Sequence, residues 1–137
     1  MVSPKKTDAL LLLVFHEPTR QRLTELLQGN GYAPKPVPDL GGVLAALKGQ
    51  DCATVIVDCE AVTRYSVGLY SRIKASCRYC RVILLCDKAH KSHREIIRQA
   101  MEIGIYACLL APYEDWEVLA MVRYYPRKEI PRKTRNV

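Results

Sequence analysis

The sequence predicts a doubly wound α/β fold, with a five-stranded parallel sheet between two layers of helices. Five short apolar runs recur along the chain: Ala9–Phe15, Tyr32–Val37, Ala53–Val57, Val82–Cys86 and Tyr106–Leu110. Most are continuous rather than alternating, the pattern of strands buried on both faces. Each is followed by a stretch with helical spacing, and strands alternating with helices give a parallel sheet covered on both sides.

The elements follow in order. After the first run, Pro18 suits a first helical turn; Leu23, Leu26 and Leu27 share a face, and Gly29-Asn30-Gly31 ends the helix. The second run is weak because prolines interrupt it. Asp39 is a candidate N-cap for a helix whose stripe is Leu40, Val43, Leu44 and Leu47. A third helix is predicted from about Val62 to Ala75, with Leu69, Tyr70 and Ile73 inward. Ser92-His93-Arg94-Glu95 reads as a capping box, followed by Ile96, Ile97, Ala100 and Met101, with Gly104 as the stop. The fifth helix follows Pro112, carries Trp116, Leu119 and Ala120 at helical spacing, and fades near Tyr125-Pro126. Right-handed crossovers leave few topologies for five strands and five helices. The flavodoxin-like order 2-1-3-4-5 is the most economical.

Composition bounds the rest. The chain has 137 residues, 49% hydrophobic and 26% charged, as expected for one globular domain. A unit of this size buries roughly two-thirds of its unfolded surface, enough for a core without staples. The longest apolar run, Ala9–Phe15, is far short of the roughly 20 residues of a membrane span, and no secretory signal is expected. The expected location is cytoplasmic, with the six cysteines as reduced thiols. The net charge of +7 is uneven: residues 123–137 carry six basic residues against Glu129, or +5, leaving +2 for the body. The predicted organisation is a folded domain over 7–124 and a basic, extended tail over 125–137.

In open α/β sheets a ligand binds outside the carboxyl ends of the strands, where the strand order reverses. That rule selects Phe15, His16 and Glu17 after strand one and Asp58 at the end of strand three. It adds Cys86 and Asp87 after strand four and Ala111-Pro112 after strand five.

These residues lie in segments that resemble the response-regulator receiver domains of two-component signalling, over about residues 8–124. Val14-Phe15-His16-Glu17-Pro18, with Arg22, Leu23, Leu26, Leu27, Gly31 and Tyr32, resembles the family's V-D-D-E-P opening and first helix. Val55-Ile56-Val57-Asp58 resembles the strand that ends in the phosphoryl-accepting aspartate, and Val82-Ile83-Leu84-Leu85 the fourth strand. Ala100-Met101-Glu102-Ile103-Gly104 through Leu110-Ala111-Pro112-Tyr113 resembles the A-x-x-x-G…K-P-F end of the domain. The departures are as informative. Phe15 and His16 stand where the family has the two Mg²⁺-holding carboxylates, Cys86 replaces the hydroxyl residue, and Ala111 replaces the lysine. Asp58 is followed by Cys59-Glu60-Ala61-Val62, without the usual Met-Pro.

Phosphorylating a carboxylate brings an anionic phosphoryl group up to another anion, and Mg²⁺ and a cationic donor must neutralise the developing charge. Mg²⁺ needs several oxygen ligands. Phe15 offers none and is expected to fill the pocket, and His16 is a poor ligand for so hard an ion. The resemblance therefore implies a degenerate, stand-alone receiver (a pseudo-receiver) that is not an enzyme, has no cofactor and acts by protein–protein contact. The expected partner is a signalling protein or a second copy, met on the face of the fourth helix, fifth strand and fifth helix, with Tyr113 and Trp116 as anchors. Two alternatives stand beside it. Asp58 could accept phosphate with Glu17 and Asp87 holding a displaced metal, or the tail could contact nucleic acid. Against the phosphoacceptor alternative, Asp58 is expected to be capped by backbone amides or paired with His16, and His16 is set between a soft-metal role with Cys86 or Cys59 and an ordinary hydrogen-bonded strand-end histidine. Cys77-Arg78-Tyr79-Cys80 has metal or redox spacing but stands alone, and Cys52, Cys59, Cys86 and Cys108 read as small core hydrophobes.

Overall fold

The computed structural model describes residues 8–86 and 91–123, the side chains of residues 91 and 92 excepted. Its elements run β1 (Ala9–Leu13), α1 (Glu17–Gly29), β2 (Lys35–Pro36), α2 (Leu40–Leu47), β3 (Cys52–Asp58), α3 (Cys59–Tyr65), α4 (Gly68–Ser76), β4 (Tyr79–Cys86), α5 (Lys91–Ile103), β5 (Ala107–Leu110) and α6 (Asp115–Arg123). All strand pairs are parallel and the order is β2-β1-β3-β4-β5, as the alternation predicts.

Strand side chains alternate between the faces, so each apolar run supplies both layers. Leu10, Leu12, Ile56, Ile83 and Leu85 pack with Leu23 and Leu27 of α1 and Val118 and Val122 of α6. Leu11, Leu13, Val55, Val57, Val82 and Leu84 pack beneath α2, α3, α4 and α5, where Val43, Leu69, Tyr70 and Ile73 are fully or nearly fully buried. Arg81 is a buried exception in β4. Its guanidinium donates to Thr54 Oγ1 at 2.9 Å and to the Val122 carbonyl at 2.7 Å near the end of α6, and lies 4.9 Å from the Tyr106 ring centre. Carbonyls at a helix C-terminus suit a cation.

Several expectations are corrected. The single third helix is two, giving six helices among the described residues, because Ser66 turns the chain with φ 59° and ψ −179°. Its N–H still closes on the Val62 carbonyl, and its carbonyl accepts from Leu69 N–H at 3.2 Å as α4 begins. Helix formation also starts earlier than Val62, directly after Asp58. The weak second run shrinks to Lys35–Pro36, since Pro34 and Pro36 have no N–H to give a ladder. In α6 the inward stripe is Val118 and Val122, while Trp116 is 67% exposed. Met101 of α5 likewise faces out, leaving Ala100 as the buried contact. α5 begins at Lys91, so Ser92 lies inside it; Glu95 instead accepts from Arg98 and Gln99. The Asp39 cap forms as expected, accepting from Gly42 N–H at 2.7 Å. Gly104 ends α5 with φ 87°, a conformation that suits glycine. Among the described residues no helix is long and apolar enough to cross a membrane. Asp87 and the tail lie outside the described residues.

Candidate functional site

A cavity of about 370 Å³ opens at the carboxyl edge of the sheet, where β1 and β3 part. His16, Thr19, Asp58, Cys59, Glu60, Leu85, Cys86, His93, Ala111 and Tyr113 line it. Five of these are predicted site residues: His16, Asp58, Cys86, Ala111 and Tyr113. Phe15, Glu17, Pro112 and Trp116 are not among the lining residues.

Asp58 is the hub. It is the last residue of β3, buried, and the N-cap of α3. Oδ1 accepts from Ala61 N–H at 3.0 Å, while Oδ2 accepts from Phe15 N–H at 2.9 Å and His16 N–H at 3.0 Å. Three backbone donors thus hold the carboxylate, two of them from the turn that follows β1. A carboxylate so held is satisfied without a cation. The His16 ring turns away to Thr19, its Nδ1 lying 2.7 Å from Oγ1.

Phe15 does not fill the pocket, contrary to expectation. Its ring leans toward α3, with the Arg64 guanidinium 4.0 Å from the ring centre and the Tyr65 ring 6.4 Å away. Backbone direction explains this: Phe15 spends its N–H on Asp58, and its side chain joins the core layer under α2 and α3. The Phe15 ring is therefore not among the groups that line the cavity. Glu17 is exposed at the start of α1. Glu60, which no motif in the sequence marks as a site residue, reaches the rim and pairs with Arg64 at 3.3 Å.

Cys59 and Cys86 are joined as a disulfide, their Cα atoms 5.3 Å apart, which corrects the reading of both as reduced core thiols. The register accounts for it. β3 and β4 run in parallel with Asp58 opposite Leu85, so the residues that follow these two, Cys59 opening α3 and Cys86 ending β4, emerge side by side. His93, half-buried on α5, approaches the same sulfurs, and the ligand atoms of all three lie within 4.8 Å of one another. His93 was read only as part of a helix cap, and nothing in its local sequence marks it as a site residue. The four remaining cysteines are free thiols, with Cys52, Cys77 and Cys80 buried.

Tyr113 closes the cavity from the β5 side. Arg22 of α1 lies 5.0 Å over its ring, donates to its carbonyl at 3.2 Å and pairs with Asp115 at 2.7 Å. Burial pushes the Tyr113 phenol above its ordinary pKa; Arg22 opposes the shift, and the Asp58 and Asp115 carboxylates reinforce it. The Ala111–Pro112 bond is cis. Ala111 brings only a methyl group to the lining, so none of the described lining residues is a lysine. The donors here are thus mixed: one amide-held carboxylate, one ion-paired carboxylate, a threonine hydroxyl, a tyrosine phenol, two imidazoles and two disulfide sulfurs. That set does not fit the octahedral oxygen cage Mg²⁺ requires.

Among solved structures the chain is similar to full-length FixJ from B. japonicum, with a TM-score of 0.71 and 22% identity over 93% of this chain; it spans only 62% of that protein. It is similar to the receiver domain of the sensor histidine kinase PA1611 from Pseudomonas aeruginosa PAO1, which has a magnesium ion in its active-site cleft (TM-score 0.63, 21% identity, 84% of this chain and 93% of that one). A response regulator from Thermotoga maritima gives a TM-score of 0.67 at 17% identity, over 86% of this chain and 99% of that one. No family model matches the chain, and no curated protein does. The fold is that of the response-regulator receiver domains.

Proposed function

We propose that the chain is a cytoplasmic receiver-like signalling module that acts by protein–protein contact, without phosphorylation of Asp58, without Mg²⁺ and without catalysis of its own. The observation that carries this reading is the Asp58 carboxylate, tied by three backbone N–H donors in a cavity with a methyl group at Ala111 and a disulfide at Cys86. In one receiver-fold neighbour, from Burkholderia pseudomallei, the aspartic acid is phosphorylated and a calcium ion is present. The groups that would offset that charge are replaced here one by one. Asp58 works instead as a structural acceptor that fixes the β1–α1 turn to the start of α3.

The docking face in this reading is α5, β5 and α6. Among the described residues the large hydrophobic side chains that stand exposed are Met101 and Ile103 on α5, Leu110 on β5 and Trp116 on α6, so they share one edge of the fold. Trp116 at 67% exposure is the natural anchor, because a large rigid ring buries much surface at small entropic cost. Tyr113 lies deeper, between this face and the cavity.

Amide NMR of the whole chain with Mg²⁺ and beryllium fluoride, which imitates an acyl phosphate, tests the proposal. The expected result is no shift at Asp58, Cys86 or their neighbours. Saturable shifts centred there would establish a phosphoacceptor with unorthodox metal ligation instead.

A further inference from the structure

The metal-spaced pair in the sequence, Cys77 and Cys80, is the weaker of two sulfur clusters. Both thiols are buried and hydrogen-bonded to each other, and burial pushes Cys80 up to about 12. No third donor joins them among the described residues.

The other cluster is built by convergence. Cys59 opens α3, Cys86 ends β4, and His93 lies in the first turn of α5. Two sulfurs and an imidazole nitrogen come within 4.8 Å of one another on the wall of the 370 Å³ cavity. Thiolate and imidazole are the donors Zn²⁺ takes, in tetrahedral array, and three protein ligands leave a fourth position for a water or small ligand. Two thiolates also cancel the charge of the ion, which favours its residence at a largely apolar wall.

We propose that, with Cys59 and Cys86 reduced, these two residues and His93 form a Zn²⁺ site whose fourth position faces the cavity. The disulfide is its closed state, because neither sulfur of an S–S bond is a thiolate. A dithiol reductant opens it by supplying two electrons and two protons: the S–S bond breaks, two thiols form, and the reductant leaves as its own disulfide. Zn²⁺ then displaces the two thiol protons to solvent. The proposal stands apart from the partner-contact reading, and either can fail without the other.

The test uses the full chain reduced with a phosphine, desalted without oxygen and titrated with Co²⁺ as a coloured stand-in for Zn²⁺. One equivalent binds, giving thiolate-to-cobalt charge-transfer absorption and the d–d bands of a tetrahedral site. Zn²⁺ abolishes both, and excess Mg²⁺ does not. Cys86→Ser and His93→Gln each weaken binding at least about tenfold, the smallest effect expected when even an outer-shell partner is lost. His93 is only half-buried on a helix face, so its variant remains informative if the Cys86 variant does not fold. The double variant Cys77→Ser/Cys80→Ser binds like the parent, and the disulfide form does not bind. The site is refuted by absence of charge-transfer absorption in the reduced chain. It is equally refuted by full binding in the His93→Gln variant, by loss of binding in the Cys77/Cys80 double variant, or by binding to the oxidised form.

Discussion

Replacing Asp58 with alanine separates a structural carboxylate from an idle phosphoacceptor, since the two roles predict opposite signs. The substitution removes the N-cap of α3, where Oδ1 accepts from Ala61 N–H at 3.0 Å, at a cost of about 1 kcal/mol. It also strips the acceptor from the Phe15 and His16 N–H groups, 2.9 and 3.0 Å away in a part-buried setting. Each orphaned donor costs about 1–3 kcal/mol when dry, and the open cavity beside His16 places that one at the low end. The expected loss is about 3 kcal/mol, or about 12 °C in Tm at roughly 4 °C per kcal/mol for a domain of this size. Asp58→Asn keeps an oxygen acceptor and loses about half as much. Urea unfolding followed by circular dichroism reads both. In a pocket built for a cation, removing a carboxylate relieves electrostatic stress, so an Asp58→Ala variant as stable as the parent, or more so, would refute the structural role.

Three further outcomes are expected. Ser66→Gly raises stability by about 1 kcal/mol, because φ 59° with ψ −179° is a conformation glycine adopts without penalty; the urea midpoint rises at constant m-value. Trp116→Ala leaves the urea midpoint within about 0.5 kcal/mol of the parent, since the ring is 67% exposed, while it weakens capture of a cross-linked partner at the α5–β5–α6 face at least about tenfold. Stability falls as pH rises from about 9 to about 12. Burial lifts the Cys80 thiol from 9.0 to about 12, so over that window the unfolded chain has lost a proton that the native chain keeps. The contribution is fully present below pH 9 and is lost through the folded value. Urea midpoints of Cys80→Ala decline less steeply than those of the parent across that range.

Legibility varied with how local the cause was. The Asp39 cap, the Gly104 stop and the strand runs were readable because each depends on residues a few positions apart. The break at Ser66 was not, since serine carries no special preference for positive φ and the flanking residues continue a helical stripe. The position of Asp58 at the cavity was readable from the strand-end rule, and so was a carboxylate capped by backbone amides; which distant amides supply the cap was not. Two of its three partners are backbone amides 42 and 43 positions away, and any residue but proline can supply such a donor. Phe15 was expected to fill the pocket, and its ring instead lies toward α3 and the core beneath it. Side-chain direction after a strand depends on the turn that follows, and that turn is fixed by Asp58.

The order of apolar and amphipathic segments determined the fold class, because burial of a parallel sheet beneath two helical layers is the economical way to hide five short runs. Tertiary structure alone determined the company each side chain keeps at the carboxyl edge. A one-residue change in the β3–β4 register would part Cys59 from Cys86, and a rotation of α5 would carry His93 away. Proximity across 27 and 34 positions of chain is set by strand pairing and helix docking, to which no local stretch of sequence refers.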